Sequence, residues 1–291
     1  MHLQIPKSLF AAFAAGPRER LEAFCSDPSF AGKLDAKIVA GLGLEIPDLM
    51  FRLLPLAQSY AVAEFRVGAV AQGASGALYF GANLEIPRAP LGWTIHAEQS
   101  AVLDALVHGE KSIRRLAVTS APCGHCRQFL HELAGADELE VLLEGQKPLP
   151  LEQLLPHAFG PADLGKSVAL LSQGDLQIQG ASKDITTPLM EALKMSYAPY
   201  THSPSAVLLE TAEGLRVAGP YVENAAYNPS LPPMVAALDR LRFHRATPAA
   251  IRKAVLIETL DPHITQVSNS REILKAAGSE VELIVINVQV K

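Results

Sequence analysis

The chain has 291 residues, enough for two domains of ordinary size, and its 49% hydrophobic content without any low-complexity tract makes it globular. Its 25 Lys and Arg against 30 Asp and Glu give a formal charge of −5, without the basic excess that a phosphate backbone requires, so a nucleic-acid partner is not expected. No apolar run approaches the roughly 18 to 20 residues that span a bilayer, and three cysteines cannot all pair within one chain, so a cytoplasmic protein with no membrane partner is expected.

Residues 1 to about 46 read as an N-terminal helical segment, FAAFAAGPRERLEAF followed by DAKIVAGLGL. KSLFAAFAAG has the outline of a short export leader, but Leu9, Phe10, Phe13, Leu21 and Phe24 continue one helical face past any cleavage point, which favours buried helices. After Pro47, LMFRLLPLAQSYAVA predicts a helix, FRVGAVAQ and GALYFGANLE two strands joined by a Gly/Ser turn, and HAEQSAVLDALVHG a helix. RRLAVTS then predicts a buried strand, CRQFLHELA a helix and LEVLLE a strand; such alternation implies an α/β sheet covered by helices. LLPHAFGPADLG reads as a connector. The expected division is a helical segment over 1–46, a first domain over 47–150, a connector over 151–185 and a second domain over 186–291.

The second half repeats the first in outline. SYAVAEFRVGAVA, GALYFGANLEIP and HAEQSAVLDAL find counterparts in SYAPYTHSPSAVL, GLRVAGPYVENA and LPPMVAALDRL. This sets Ser59-Tyr60 on Ser196-Tyr197, Glu85 on Glu223, and Ala101 to Asp104 on Ala236 to Asp239. His96 then meets Leu231 and Glu98 meets Pro233, so whatever chemistry the first copy carries, the second has lost.

That chemistry sits in TIHAEQSAV and TSAPCGHCRQF. Zinc prefers thiolate and imidazole in a tetrahedral set, and a catalytic site keeps one of four positions for water. His96, Cys123 and Cys126 supply three ligands, which predicts one zinc per chain. The cysteines open a helix behind Pro122, where free N–H groups and the helix dipole favour thiolates. His125, inside the CxxC turn, is poorly placed to bind the same ion and is expected to be exposed. Glu98 stands two residues from His96, off its helical face, and is free to do general acid–base work at the open position instead of ligating. The competing readings are a closed zinc knot, which wants a fourth Cys or His, and a redox CxxC, which needs neither His96 nor Glu98.

The spacing H-x-E then P-C-x-x-C is the signature of zinc deaminases of nucleobases. The sequence resembles the cytidine deaminases, specifically the longer bacterial kind in which a catalytic domain is followed by a degenerate copy. TIHAEQSAV, TSAPCGHCRQF, FGANLE and YVENAAYNPSLPP carry the resemblance over nearly the whole chain, and the first 46 residues contribute least. It implies a duplicated three-layer α-β-α fold and hydrolytic deamination of cytidine and 2′-deoxycytidine, with Glu98 as the proton carrier. It also implies that Phe65 stacks on the pyrimidine, Asn83 and Glu85 hold ribose hydroxyls, and the Ala97 backbone meets the base. Two chains would pair as a homodimer with shared sites, the degenerate half and the connector near Phe159 bordering the partner's pocket. Ser120 departs from the aromatic residue that long relatives tend to place there. A deaminase of a nucleotide or polynucleotide cytosine, and a non-catalytic zinc-stabilised binding protein, remain as alternatives.

Overall fold

In a computed structural model, which describes residues 5–172, 174, 176–179 and 185–290, the chain divides into two units with a sheet in each. The first comprises Met1–Leu84, His96–Ala158 and Phe243–Arg245, and the second Glu85–Ile95, Phe159–Arg242 and Ala246–Lys291. Residues 1–4 of the expected helical segment and 173, 175 and 180–184 of the expected connector lie outside the described residues.

The first unit begins with helices α1 (Ala15–Ser26) and α2 (Ala36–Gly41), which flank a two-residue strand β1 (Lys33–Leu34). That strand corrects the all-helical reading of residues 1–46, and it forms because the short stretch pairs antiparallel with the edge of the main sheet. Helix α3 (Ile46–Ser59) starts with Pro47 in its first turn, where a missing N–H costs nothing. Strands β2 (Gly68–Gly73) and β3 (Leu78–Ala82) form the predicted hairpin, whose turn includes Gly76 at φ 85°. Helix α4 (Ala97–Val107), strand β4 (Ile113–Val118), helix α5 (Gly124–Leu130) and strand β5 (Glu140–Leu142) follow. A short strand β6 (Leu149–Pro150) and a single turn α6 (Leu151–Leu154) complete the unit's regular structure. The sheet order is β1-β3-β2-β4-β5-β6, with β4 and β5 parallel and the other pairs antiparallel.

Every residue of β2 and β3 is buried, so both faces of this sheet are covered. Val70, Leu78, Phe80 and Ala82 point to one side, where they join Leu49, Met50, Leu53 and Leu56 of α3 with Phe10, Phe13 and Leu21 of the N-terminal segment in one core. Gly81, out of phase by one residue, faces α4 on the other side. The result is the expected three-layer α-β-α arrangement. Phe10, Phe13 and Leu21 are buried as expected, but of the three only Leu21 lies in an α-helix: Phe10 ends a single 3-10 turn (Lys7–Phe10) and Phe13 lies in the turn before α1.

In the second unit, β7 (Ile178–Gln179) precedes α7 (Thr187–Met195), β8 (Ser205–Thr211), β9 (Arg216–Pro220), α8 (Pro233–Phe243), β10 (Ile251–Thr259), α9 (Val267–Ala276) and β11 (Leu283–Val290). Its sheet runs β7-β11-β10-β8-β9. The succession β9-β8-β10-β11, antiparallel at the first two pairings and parallel at the last, repeats β3-β2-β4-β5. A duplicated fold is therefore written in strand order and direction as well as in sequence. Among the described residues no helix is long and apolar enough to cross a membrane.

Candidate metal centre

His96 is the cap residue of α4, and the Gln99 side-chain oxygen accepts a hydrogen bond from its backbone N–H at 3.1 Å. The first turn of α4 is also pressed onto β3: a methyl group at Gly81 would stand 2.1 Å from the Ala97 carbonyl oxygen and 2.3 Å from the Ala101 nitrogen. Only glycine permits that approach. Cys123 caps α5 directly behind Pro122, and Cys126 lies one turn on. The crossing from β4 into α5 therefore delivers both thiols to the head of α4.

Three ligand atoms meet there. His96 Nδ1 lies 3.5 Å from Cys123 Sγ and 3.3 Å from Cys126 Sγ, and the two sulfurs are 3.7 Å apart. Zinc bond lengths of about 2.3 Å to sulfur and about 2.0–2.1 Å to nitrogen, set tetrahedrally, require ligand atoms about 3.8 Å (S···S) and about 3.6 Å (S···N) apart. The triangle thus has the dimensions of three corners of a zinc tetrahedron. Among the described residues it is the only such cluster, and no fourth Cys or His closes it into a knot.

The surrounding charges suit this chemistry. The hydrogen bond shared with Cys126 pulls the Cys123 thiol down to about 4, and the same bond together with burial pushes Cys126 up. Glu98 is only 4% exposed; burial raises its carboxyl above the ordinary glutamate range, against a hydrogen bond within its own residue and one with Cys126. A first-turn carboxylate that was solely a solvated charge would not be buried. His125 is half-buried rather than exposed, its ring 5.0 Å from that of His96, and burial followed by the neighbouring imidazole lowers its pKa. It packs over the ligand instead of projecting into water, which corrects the expectation for this residue.

Of the predicted substrate residues, Phe65 is 68% exposed, which rules out its being core. Asn83 is nearly buried, and its side chain clips the Phe65 loop: Oδ1 accepts from the Val67 N–H and Nδ2 donates to the Phe65 carbonyl, both at 2.8 Å. Gln58 Nε2 donates to the carbonyl of Arg66 between them, also at 2.8 Å. Glu85 is half-buried, and among the described residues its carboxylate has neither a hydrogen bond nor an ion pair. Ala97 is fully buried in the first turn of α4, where helical N–H groups lack intrahelical acceptors, and Phe159 is exposed. The clips of Asn83 and Gln58 and the cap by Gln99 were not foreseen. Only the last had a sequence signal, a Gln three residues after a helix cap.

Models of the "Cytidine and deoxycytidylate deaminase zinc-binding region" match twice, over residues 46–141 and 151–271. The cytidine deaminase of Klebsiella pneumoniae subsp. pneumoniae is 40% identical over 285 residues, covering 96% of this chain and 97% of that protein. The chain belongs to the cytidine deaminase family. Another cytidine deaminase, from Shewanella loihica, is 42% identical over 89% of this chain and 90% of its own length. The crystal structure of cytidine deaminase from Mycobacterium tuberculosis covers 40% of this chain and 99% of its own, at 28% identity and a TM-score of 0.37. As a cytidine deaminase of the two-copy kind, the chain is a zinc-dependent hydrolytic enzyme.

The second copy of this cytidine deaminase keeps the scaffold without the ligands. Gly219 repeats the close approach of Gly81, a methyl there standing 2.2 Å from the Ala237 nitrogen and 2.7 Å from the Pro233 oxygen. Matching Ala237 to Ala101 and Pro233 to Ala97 shifts the sequence register by one, so Pro232 stands where His96 does and Met234 where Glu98 does. The strand bridges Val62–Leu84 and Tyr197–Val222 likewise set Tyr197 at the place of Val62 rather than Tyr60, while Glu85 remains opposite Glu223. Residue identity drew the first alignment, and backbone contacts draw the correct one. Glu223 has become structural: nearly fully buried, it accepts from the N–H groups of Tyr200 at 2.9 Å and Thr201 at 3.2 Å, and from the Thr201 hydroxyl.

Proposed function

We propose that the chain deaminates cytidine and 2′-deoxycytidine to the corresponding uridines and ammonia, with one zinc per chain held by His96, Cys123 and Cys126. The observation that carries this reading is the tetrahedral spacing of the three ligand atoms beside a buried Glu98. A zinc ion bound there would supply Lewis-acid activation of water. Glu98 takes a proton of the attacking water and hands it to N3 of the pyrimidine as C4 becomes tetrahedral; it then takes the proton of the new C4 hydroxyl and passes it to the amino group, which leaves as ammonia while the C4 carbonyl forms. A carboxyl raised by burial holds and returns a proton more readily than an ordinary glutamate, which suits both directions of that transfer.

Nucleoside selectivity rests on the individual residues that the resemblance assigns to substrate. Phe65 offers an exposed ring for the pyrimidine, the carboxylate of Glu85, without a partner among the described residues, is suited to a ribose hydroxyl, and Asn83 and the Ala97 backbone take the sugar and base roles that the resemblance assigns them. A 5′-phosphate would meet like charge, and free cytosine would leave Glu85 unpaired. Ammonia release from cytidine, 2′-deoxycytidine, cytosine and CMP tests this. The two nucleosides should far exceed the others, whereas preferential turnover of CMP would favour a nucleotide deaminase.

The catalytic residues fall within 47–150. Residues 186–291, joined by the connector 151–185, complete a homodimer in the cytoplasm. Tyr227 is exposed on a loop held by Asn224 and Ser230, Leu260 and Ile264 are exposed on the loop before α9, and Phe159 is exposed ahead of the second domain. These exposed apolar side chains support a partner copy. A Glu98→Ala chain should restore activity to a chain impaired only in YVENAAYNPSLPP, and the absence of rescue in mixed dimers would remove the shared-site reading.

A further inference from the structure

We infer that Arg127 is a positioning residue for the metal centre, acting through main-chain carbonyls and not through substrate. The inference rests on the reading of His96, Cys123 and Cys126 as the zinc ligands. Arg127 follows Cys126 in α5, and its side chain runs back toward the helix N-terminus, the direction that helical side chains favour. There its Nε donates to the Pro122 carbonyl at 2.8 Å, and its Nη1 donates to the Leu154 carbonyl at 2.8 Å.

Both acceptors are informative. The Pro122 carbonyl belongs to the peptide bond that leads into Cys123, so gripping it fixes the plane from which that ligand departs. Proline lacks an N–H, and the Pro122–Cys123 stretch precedes the regular hydrogen bonds of α5, the first of which runs from Arg127 N–H to Cys123 O. The exposed Cys123 would otherwise be the least constrained of the three ligands, since Cys126 is buried inside the helix and His96 is capped by Gln99. Leu154 closes α6, a single turn with few bonds of its own. The planar guanidinium therefore spans two separate stretches of backbone, which a single ammonium cannot do with the same geometry.

Zinc retention should register this role directly. Residues that orient metal ligands typically contribute about 10–100-fold to affinity. Zinc release from the full chain to a chromogenic chelator is expected to be faster by about that factor in Arg127→Ala. Arg127→Lys should fall between Arg127→Ala and the wild type. Cobalt substituted for zinc should show altered thiolate-to-metal absorption in Arg127→Ala, because the geometry at Cys123 changes. Arg115→Ala is the control: Arg115 binds Glu140 at 2.8 Å and Gln72 at 3.1 Å across the sheet, so its loss lowers the unfolding midpoint without loosening zinc.

Wild-type release rates in Arg127→Ala, or in Arg127→Lys should the alanine chain not fold, would overturn the inference. Equal acceleration in Arg115→Ala would overturn it as well, since the effect would then be general destabilisation. A wild-type chain that holds no zinc would instead overturn the ligand assignment itself.

Discussion

Replacing Gly81 by alanine separates the scaffold from the chemistry it carries. The added methyl would stand 2.1 Å from the Ala97 oxygen and 2.3 Å from the Ala101 nitrogen, both backbone atoms of α4 that no rotamer change can move. Ordinary contact distances require the head of α4 to withdraw from β3 by about 1 Å. Overpacking of this kind costs about 1–3 kcal/mol of stability. A shift of about 1 Å in reacting groups lowers rate by about 100-fold, and His96 and Glu98 ride on the displaced turn. Gly219→Ala is the matched control, because its methyl would meet the Ala237 nitrogen at 2.2 Å and so press on α8, which carries no ligand. The two variants should lose similar stability by denaturant unfolding, but only Gly81→Ala should lose zinc by metal analysis and fall in kcat on cytidine. Full zinc and wild-type kcat in Gly81→Ala, or equal zinc loss in Gly219→Ala, would refute the reasoning.

Glu98→Gln should retain zinc and lose about 10²–10⁴-fold in kcat, whereas loss of the metal would make Glu98 a ligand. In the zinc-free protein the folded state favours protonated Glu98, so its contribution is fully present below the ordinary glutamate pKa and is lost as pH rises through the raised value. Glu98→Gln should therefore raise the zinc-free unfolding midpoint at neutral pH and leave it unchanged in acid; the opposite dependence would contradict the burial argument. Removing zinc should expose Cys123, pulled down to about 4, to rapid alkylation at pH 6, whereas Cys25, pushed up to about 12 by burial, should react only on unfolding; mass spectrometry distinguishes the two. Asn83→Ala removes two hydrogen bonds to the Phe65 loop and should cost about 1–3 kcal/mol of stability while raising KM for cytidine more than it lowers kcat. An unchanged KM would show that the loop does not need its clip.

Local patterns made most of this legible in the sequence. His96 with Glu98, and Cys123 with Cys126, are encoded within a few residues of each other, and the apolar periods of α3, α4, β2 and β4 announce their elements. What escaped depends on partners distant in sequence. β1 is a strand only because β3 lies beside it, Asn83 looks like a turn residue until its bonds to residues 65 and 67 are seen, and His125 is covered by its packing over His96. The repeat was visible, but its helices align correctly only through the backbone contacts of Gly81 and Gly219.

The central claim is that one zinc at His96, Cys123 and Cys126 serves one Glu98. Adding zinc stepwise to metal-free protein while following ammonia release from cytidine tests it most directly. Activity should rise in proportion to bound metal and level off at one zinc per chain, and a Cys126→Ala chain should remain inactive throughout. Full activity without zinc, or a plateau only at two zincs per chain, would contradict the account.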